Sequence, residues 1–134
     1  FAGILDTKTG LLTYINAGHN RPYIIKHKGD IVELEKPDSI ALGVDEDVVY
    51  ADRDIVLEHG DCLFTYTDGV TEAMRETGEL FDEHRLVAIL KETNDKHPEE
   101  IIQSVYGAVK DFTGNAEQSD DITMLSVKYY NSEQ

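Results

Sequence analysis

The run Cys62-Leu63-Phe64-Thr65-Tyr66 is almost wholly apolar or aromatic and lies between two turn signals, His59-Gly60-Asp61 and Thr67-Asp68-Gly69. A stretch with no polar alternation has no face to offer to water, so it predicts a central strand buried on both sides. Such a strand needs hydrogen-bonded neighbours along its edges and apolar layers above and below. The rest of the chain has to supply them.

Upstream, the punctuation is that of β-hairpins. Phe1 to Leu5 and Leu11 to Asn16 flank Asp6-Thr7-Lys8-Thr9-Gly10, and Tyr23 to His27 and Ile31 to Leu34 flank Lys28-Gly29-Asp30. Glu35 to Asp47, with Pro37 and Gly43 and no sustained periodicity, reads as a loop that returns to strands near Val48 to Ala51 and Asp54 to Leu57. Downstream the period changes. Leu86, Val87, Ile89 and Leu90 within Glu83 to Lys91, and Ile101, Ile102, Val105, Val109 and Phe112 within Pro98 to Phe112, predict two amphipathic helices. Pro98 suits a first helical turn, Glu99 and Glu100 suit the positive end of the helix dipole, and Gly114 suits the stop. A last strand is expected over Ile122 to Tyr129. Antiparallel strands, two helices and a closing strand make an α+β domain with helices packed against a sheet.

The 134 residues fit one domain and show no internal boundary, repeat or low-complexity stretch. No apolar run approaches the roughly 20 residues a membrane span requires. Twelve basic against 27 acidic residues give a formal net charge of -15, which repels a polyphosphate backbone and argues against nucleic acid and anionic membranes as partners. A cationic partner suits it better, and most of the acidity reads as solvated surface. Cys62 is the one cysteine, so no internal disulfide forms, a buried thiol is expected, and a reducing cytoplasm suits the chain. Residues 1–134 carry no stretch that reads as a signal peptide, and because residue 1 is Phe rather than Met, the natural N-terminus is expected upstream.

Chemistry concentrates where acids adjoin apolar strands. Asp68 follows the central strand and Asp120-Asp121 precede the last one. If these strands are antiparallel neighbours, the end of one lies beside the start of the other and the carboxylates converge at one sheet edge. Clustered carboxylates repel and call for a cation, and hard oxygen donors favour Mg²⁺ or Mn²⁺. The spacings match neither a zinc site nor a calcium-binding EF-hand. By spacing alone, the favoured readings are a strand-end turn for Asp68-Gly69 and a solvated loop for Ser119-Asp120-Asp121, with metal binding the lesser alternative.

Four segments in order carry a resemblance: Asn16-Ala17-Gly18-His19-Asn20, Ala41-Leu42-Gly43-Val44, Tyr66-Thr67-Asp68-Gly69-Val70-Thr71-Glu72-Ala73 and Asp120-Asp121-Ile122-Thr123-Met124-Leu125. Together, over nearly the whole chain, they resemble the PP2C-like phosphatases of the SpoIIE and RsbU type. The resemblance implies an antiparallel β-sandwich flanked by helices, with a two-metal centre of Mn²⁺ or Mg²⁺ at one end. It maps metal-ligand roles onto Asp68 and Asp120, with Asp121 as the alternative to Asp120, and requires no nucleophilic side chain, Cys62 included. His19 reads as a hydrogen-bonding turn residue rather than a proton donor, and Arg21 stands where the family commonly has proline.

The family's upstream aspartate, which bridges its metals, has no counterpart after Phe1, so residues 1–134 are expected to form the C-terminal part of the domain, N-terminally incomplete and poorly active by themselves. The implied substrate is a phosphoserine or phosphothreonine protein, such as an anti-sigma-factor antagonist, in bacterial signalling governed by an upstream sensor domain. The competing readings are a noncatalytic PP2C-like module that binds a regulatory partner, and a structural domain whose acids are only solvated turns.

Overall fold

The computed structural model describes residues 1–36 and 40–131. Strands β1 (Ala2–Leu5), β2 (Leu11–Ile15) and β5 (Arg53–Val56) form one antiparallel sheet in the order β1-β2-β5, and β3 (Tyr23–Ile25), β4 (Ile31–Glu33), β6 (Cys62–Tyr66) and β7 (Met124–Lys128) form a second in the order β4-β3-β6-β7. Three helices follow β6: the single turn α1 (Asp68–Thr71), α2 (Asp82–Leu90) and α3 (Pro98–Thr113). The two predicted hairpins form, the second closing through Gly29 at φ 98, which a residue with a Cβ adopts only at a cost.

The central run does what its composition demands. Between β3 and β7, β6 sends Cys62, Phe64 and Tyr66 to one face and Leu63 to the other. The first face is covered by Leu86 and Leu90 of α2 and by Ile101, Val105, Val109 and Phe112 of α3. On the second, Leu63 and Ile24 meet Leu12 and Tyr14 of the other sheet. The molecule is therefore layered as sheet, sheet and helices, with one apolar core between each pair of layers.

Two expectations change. No strand forms over Val48 to Ala51: Val49 is 87% exposed, and the Tyr50 hydroxyl turns back to bond the carbonyls of Ile40 and Ala41 at 3.0 and 3.1 Å, which ties this segment to the preceding loop rather than to a sheet edge. The strand-end turn at Asp68-Gly69 instead begins α1, in which Glu72 donates to the Asp68 carbonyl at 2.7 Å and Val70 is wholly buried. Pro37, within the expected loop, lies outside the described residues.

Candidate functional site

The register of β6 on β7 pairs Tyr66 with Met124, so the chain leaving β6 runs beside the chain entering β7. Thr67 laces the two together. Its N–H donates to the Thr123 carbonyl at 3.0 Å, its hydroxyl oxygen accepts the Thr123 N–H at 3.0 Å, and the hydroxyl donates to the Asp121 carbonyl at 3.1 Å. Gly69 continues the contact: a Cβ there would lie 2.2 Å from the Asp121 carbonyl oxygen and 3.3 Å from that of Asp120. Only a residue without a side chain lets the start of α1 approach the Asp120-Asp121 backbone this closely. The convergence expected from antiparallel pairing is thus present in the backbone.

Asp68 and Asp120 are both exposed, and no basic side chain pairs with either among the described residues. Asp120 Oδ1 accepts the N–H of Asp121 at 2.7 Å, while Gln118 Nε2 donates to the Asp120 carbonyl at 2.8 Å, which fixes the bend before β7. Asp68 borders an open groove of about 360 Å³ whose other walls include His19, Arg21, Lys36, Tyr66 and Thr71; Asp120 stands outside this lining. These are hard oxygen donors without ion-pair partners among the described residues, a chemistry that suits a divalent cation, with further donors needed to complete its shell.

The loop Asn16 to Asn20 forms another side of the groove. Asn16 Oδ1 accepts the His19 N–H at 2.8 Å, and His19 Nδ1 lies 2.7 Å from the Asn20 carbonyl. A carbonyl only accepts, so Nδ1 carries the proton in this bond. His19 therefore closes its own turn, as its sequence context suggested. Gly18, at φ +82, comes so close to the Ala41 backbone that a Cβ would sit 2.9 Å from its nitrogen, which joins two of the four motif segments in space. Beneath them, the Tyr66 ring stacks on Tyr23 at 5.9 Å; burial, and then the neighbouring Tyr23, push the Tyr66 phenol far above its ordinary pKa, so it stays neutral.

A different cluster lies at the opposite end of β6, where ligand atoms of His27, Glu58 and Asp61 fall within 4.8 Å of one another. Its donor set is already engaged. Asp61, wholly buried, accepts the His27 N–H at 3.0 Å through Oδ1, and through Oδ2 the Glu58 N–H at 2.8 Å and the Lys26 ammonium at 2.5 Å. This is a structural knot with its own cation. Cys62 is buried, and burial raises its thiol pKa, so it is no nucleophile at neutral pH.

Of the residues singled out in the sequence, Asp68 and Asp120 sit on the two adjoining chains at the end of β6 and the start of β7, with Asp68 alone on the groove, and His19 lies in the turn expected of it. Sequence reasoning missed the lacing role of Thr67, visible only in the register, and the place of Lys36 on the groove, for which the sequence carries no signal.

Comparison with known proteins adds a family and a fold. The family described as Stage II sporulation protein E (SpoIIE) matches residues 1–130. Protein IcfG of Synechocystis is 33% identical over 127 residues, covering 95% of this chain and 20% of that protein. Phosphoserine phosphatase RsbU of Bacillus subtilis is 27% identical over 119 residues, covering 87% of this chain and 34% of that protein. The chain thus spans a fifth to a third of the curated relatives it matches. The PP2C phosphatase domain of SpoIIE from Bacillus subtilis, solved with a fragment of its regulatory domain, superposes with a TM-score of 0.76 at 19% identity, over 96% of this chain and 36% of that one.

Proposed function

Because this chain belongs to the SpoIIE family and has the PP2C-type fold, we propose that residues 1–134 form part of a metal-dependent phosphatase domain that hydrolyses phosphoserine or phosphothreonine on a bacterial regulatory protein. Asp68 and Asp120 are its metal ligands in this reading, and an anti-sigma-factor antagonist is the kind of substrate it expects. The observation that carries it is the lacing of β6 to β7 by Thr67, which brings the two carboxylate-bearing segments to one sheet end inside a family match.

PP2C-family phosphatases use metal ions, and Mn²⁺ or Mg²⁺ suits the carboxylate donors of this chain. When bound, such ions supply charge neutralisation of the phosphoryl group and acidification of a water. The chain's own residues do the positioning. Thr67 and Gly69 hold the Asp68 backbone against that of Asp121, the Asp121 N–H orients the Asp120 carboxylate, and the apolar layer beneath α1 keeps its single turn in place. No cysteine, serine or histidine nucleophile is required. Regulation by an upstream sensor domain belongs to the same reading, since the matched relatives are much longer than this chain. No helix of the described residues is long and apolar enough to cross a membrane.

The test is calorimetric titration of Mn²⁺ into the protein encoded by the complete gene and into its Asp68→Ala and Asp120→Ala variants, with turnover of a phosphoserine protein measured alongside. Binding and turnover by the wild type, both lost in the variants with the fold retained, are expected. Wild-type protein that binds no Mn²⁺ and turns over nothing would make the domain a noncatalytic partner-binding module.

A further inference from the structure

The groove beside Asp68 has walls of opposite character. Carboxylates predominate on the α1 and α2 side, whereas the loop after β2 and the chain from the end of β4 contribute His19, Arg21 and Lys36 with a single carboxylate, Glu33. Arg21 is held at two points: its Nε donates to the Leu34 carbonyl at 2.7 Å, and one terminal nitrogen lies 2.7 Å from Glu33 Oε2. Leu34 is itself buried, so the anchor is firm. A guanidinium has five N–H donors, and these contacts leave Nη2 without a partner among the described residues. Lys36 is exposed and makes no hydrogen bond or ion pair among them. One cation is therefore preorganised with spare donors, and a second is uncompensated, on the groove that Asp68 borders.

A phosphomonoester entering that groove is a dianion facing carboxylates. It requires donors that hold its oxygens while the ester bond faces the acidic side. The planar guanidinium edge matches phosphate geometry, and Lys36 adds a mobile point charge. We propose that Arg21 and Lys36 form the phosphate-binding wall of the groove, Arg21 positioning the phosphoryl oxygens and Lys36 drawing the anion in. The identity of the anion as a phosphomonoester rests on the phosphatase reading; the capacity of the wall to bind phosphate does not. Because Glu33 offsets the Arg21 charge, Arg21 acts as a directional donor, and Lys36 carries the net attraction.

The two ideas separate in one experiment on the protein encoded by the complete gene. Inorganic phosphate is titrated calorimetrically into the metal-free protein in chelator, for wild type, Arg21→Ala and Lys36→Ala. The wild type is expected to bind, and each variant to bind about tenfold more weakly, the loss of one charge-assisted hydrogen bond. With Mn²⁺ restored, KM for a phosphoserine peptide should rise in parallel while kcat and Mn²⁺ affinity stay near wild type. No phosphate binding by the wild type, or unchanged phosphate affinity in both variants, overturns the proposal, including the case in which Arg21→Ala merely lowers the melting temperature. Should Arg21→Ala fail to fold, Lys36→Ala and Lys36→Glu decide, since Lys36 is exposed and has no partner to lose among the described residues. Phosphate bound without turnover would sink the catalytic reading alone; turnover with both variants unchanged would sink the wall alone.

Discussion

Thr67 is where the candidate site depends on a single hydroxyl. Because that oxygen both accepts from Thr123 and donates to Asp121, it joins the two chains on which Asp68 and Asp120 sit. Thr67→Val keeps the shape and β-propensity of the residue but leaves the Thr123 N–H and the Asp121 carbonyl without it. The expected cost is about 1 kcal/mol of stability. The two carboxylate-bearing chains no longer share this bond, and if Asp68 and Asp120 ligate the metal as proposed, Mn²⁺ affinity should fall by about tenfold, the usual effect of losing a group that orients metal ligands. Thr67→Ser, which retains the hydroxyl, should restore both. Comparing calorimetric Mn²⁺ titrations and denaturant midpoints of the pair checks this, and equal affinities in Val and Ser variants would show that Thr67 serves only the sheet.

Among the elements, α3 shows most directly how pattern becomes packing. Ile101, Val105, Val109 and Phe112 follow helical spacing and are buried against β6, while Tyr106, one step from Val105, is 40% exposed. Ile101→Ala should therefore cost about 2–5 kcal/mol in urea unfolding, whereas an Ala at the exposed Glu99 should stay within about 0.5 kcal/mol. The same logic explains what the sequence could convey. Strong period and clear punctuation were readable: β6 spans the expected Cys62 to Tyr66, α3 starts at Pro98, and Gly114 caps it. Asp68 and Asp120 were readable as sheet-end acids because each adjoins a strongly apolar strand. Short or contingent elements were not. A single turn such as α1 has no period of its own and exists because Val70 is buried and Gly69 fits against Asp121. Val48-Val49 has strand composition, but a strand requires a partner ladder, and composition does not say whether one is free. The cationic wall of the groove is assembled from Arg21 and Lys36, which only the β3–β4 hairpin brings together.

At the scale of the whole molecule, charge and one buried acid pull stability in opposite directions as pH falls. A net charge of -15 at pH 7 makes the compact state repel itself, and acidification toward the pI near 4.5 relieves that repulsion. Asp61 acts the other way. Burial alone would raise its pKa, but the Lys26 ammonium and the backbone donors of His27 and Glu58 outweigh it and hold the folded value below the ordinary 3.8. A carboxyl whose folded pKa is depressed stabilises the fold fully above its unfolded value and loses that contribution as pH falls through the folded one. Its knot joins β3, the end of β5, β6 and, through the bond from the Tyr129 N–H to its carbonyl, the end of β7. Stability should therefore rise from pH 7 to a maximum near about pH 5, then fall below about pH 4. Added salt should raise the melting temperature at pH 7 more than at pH 5, because only at pH 7 is there much repulsion to screen. Asp61→Asn should lower stability at neutral pH and flatten the acid limb, since the amide does not titrate. Melting temperatures from pH 3 to 8 at low and high salt test the argument; an acid limb as steep in Asp61→Asn as in the wild type would move the source of acid sensitivity away from this knot and to the surface carboxylates.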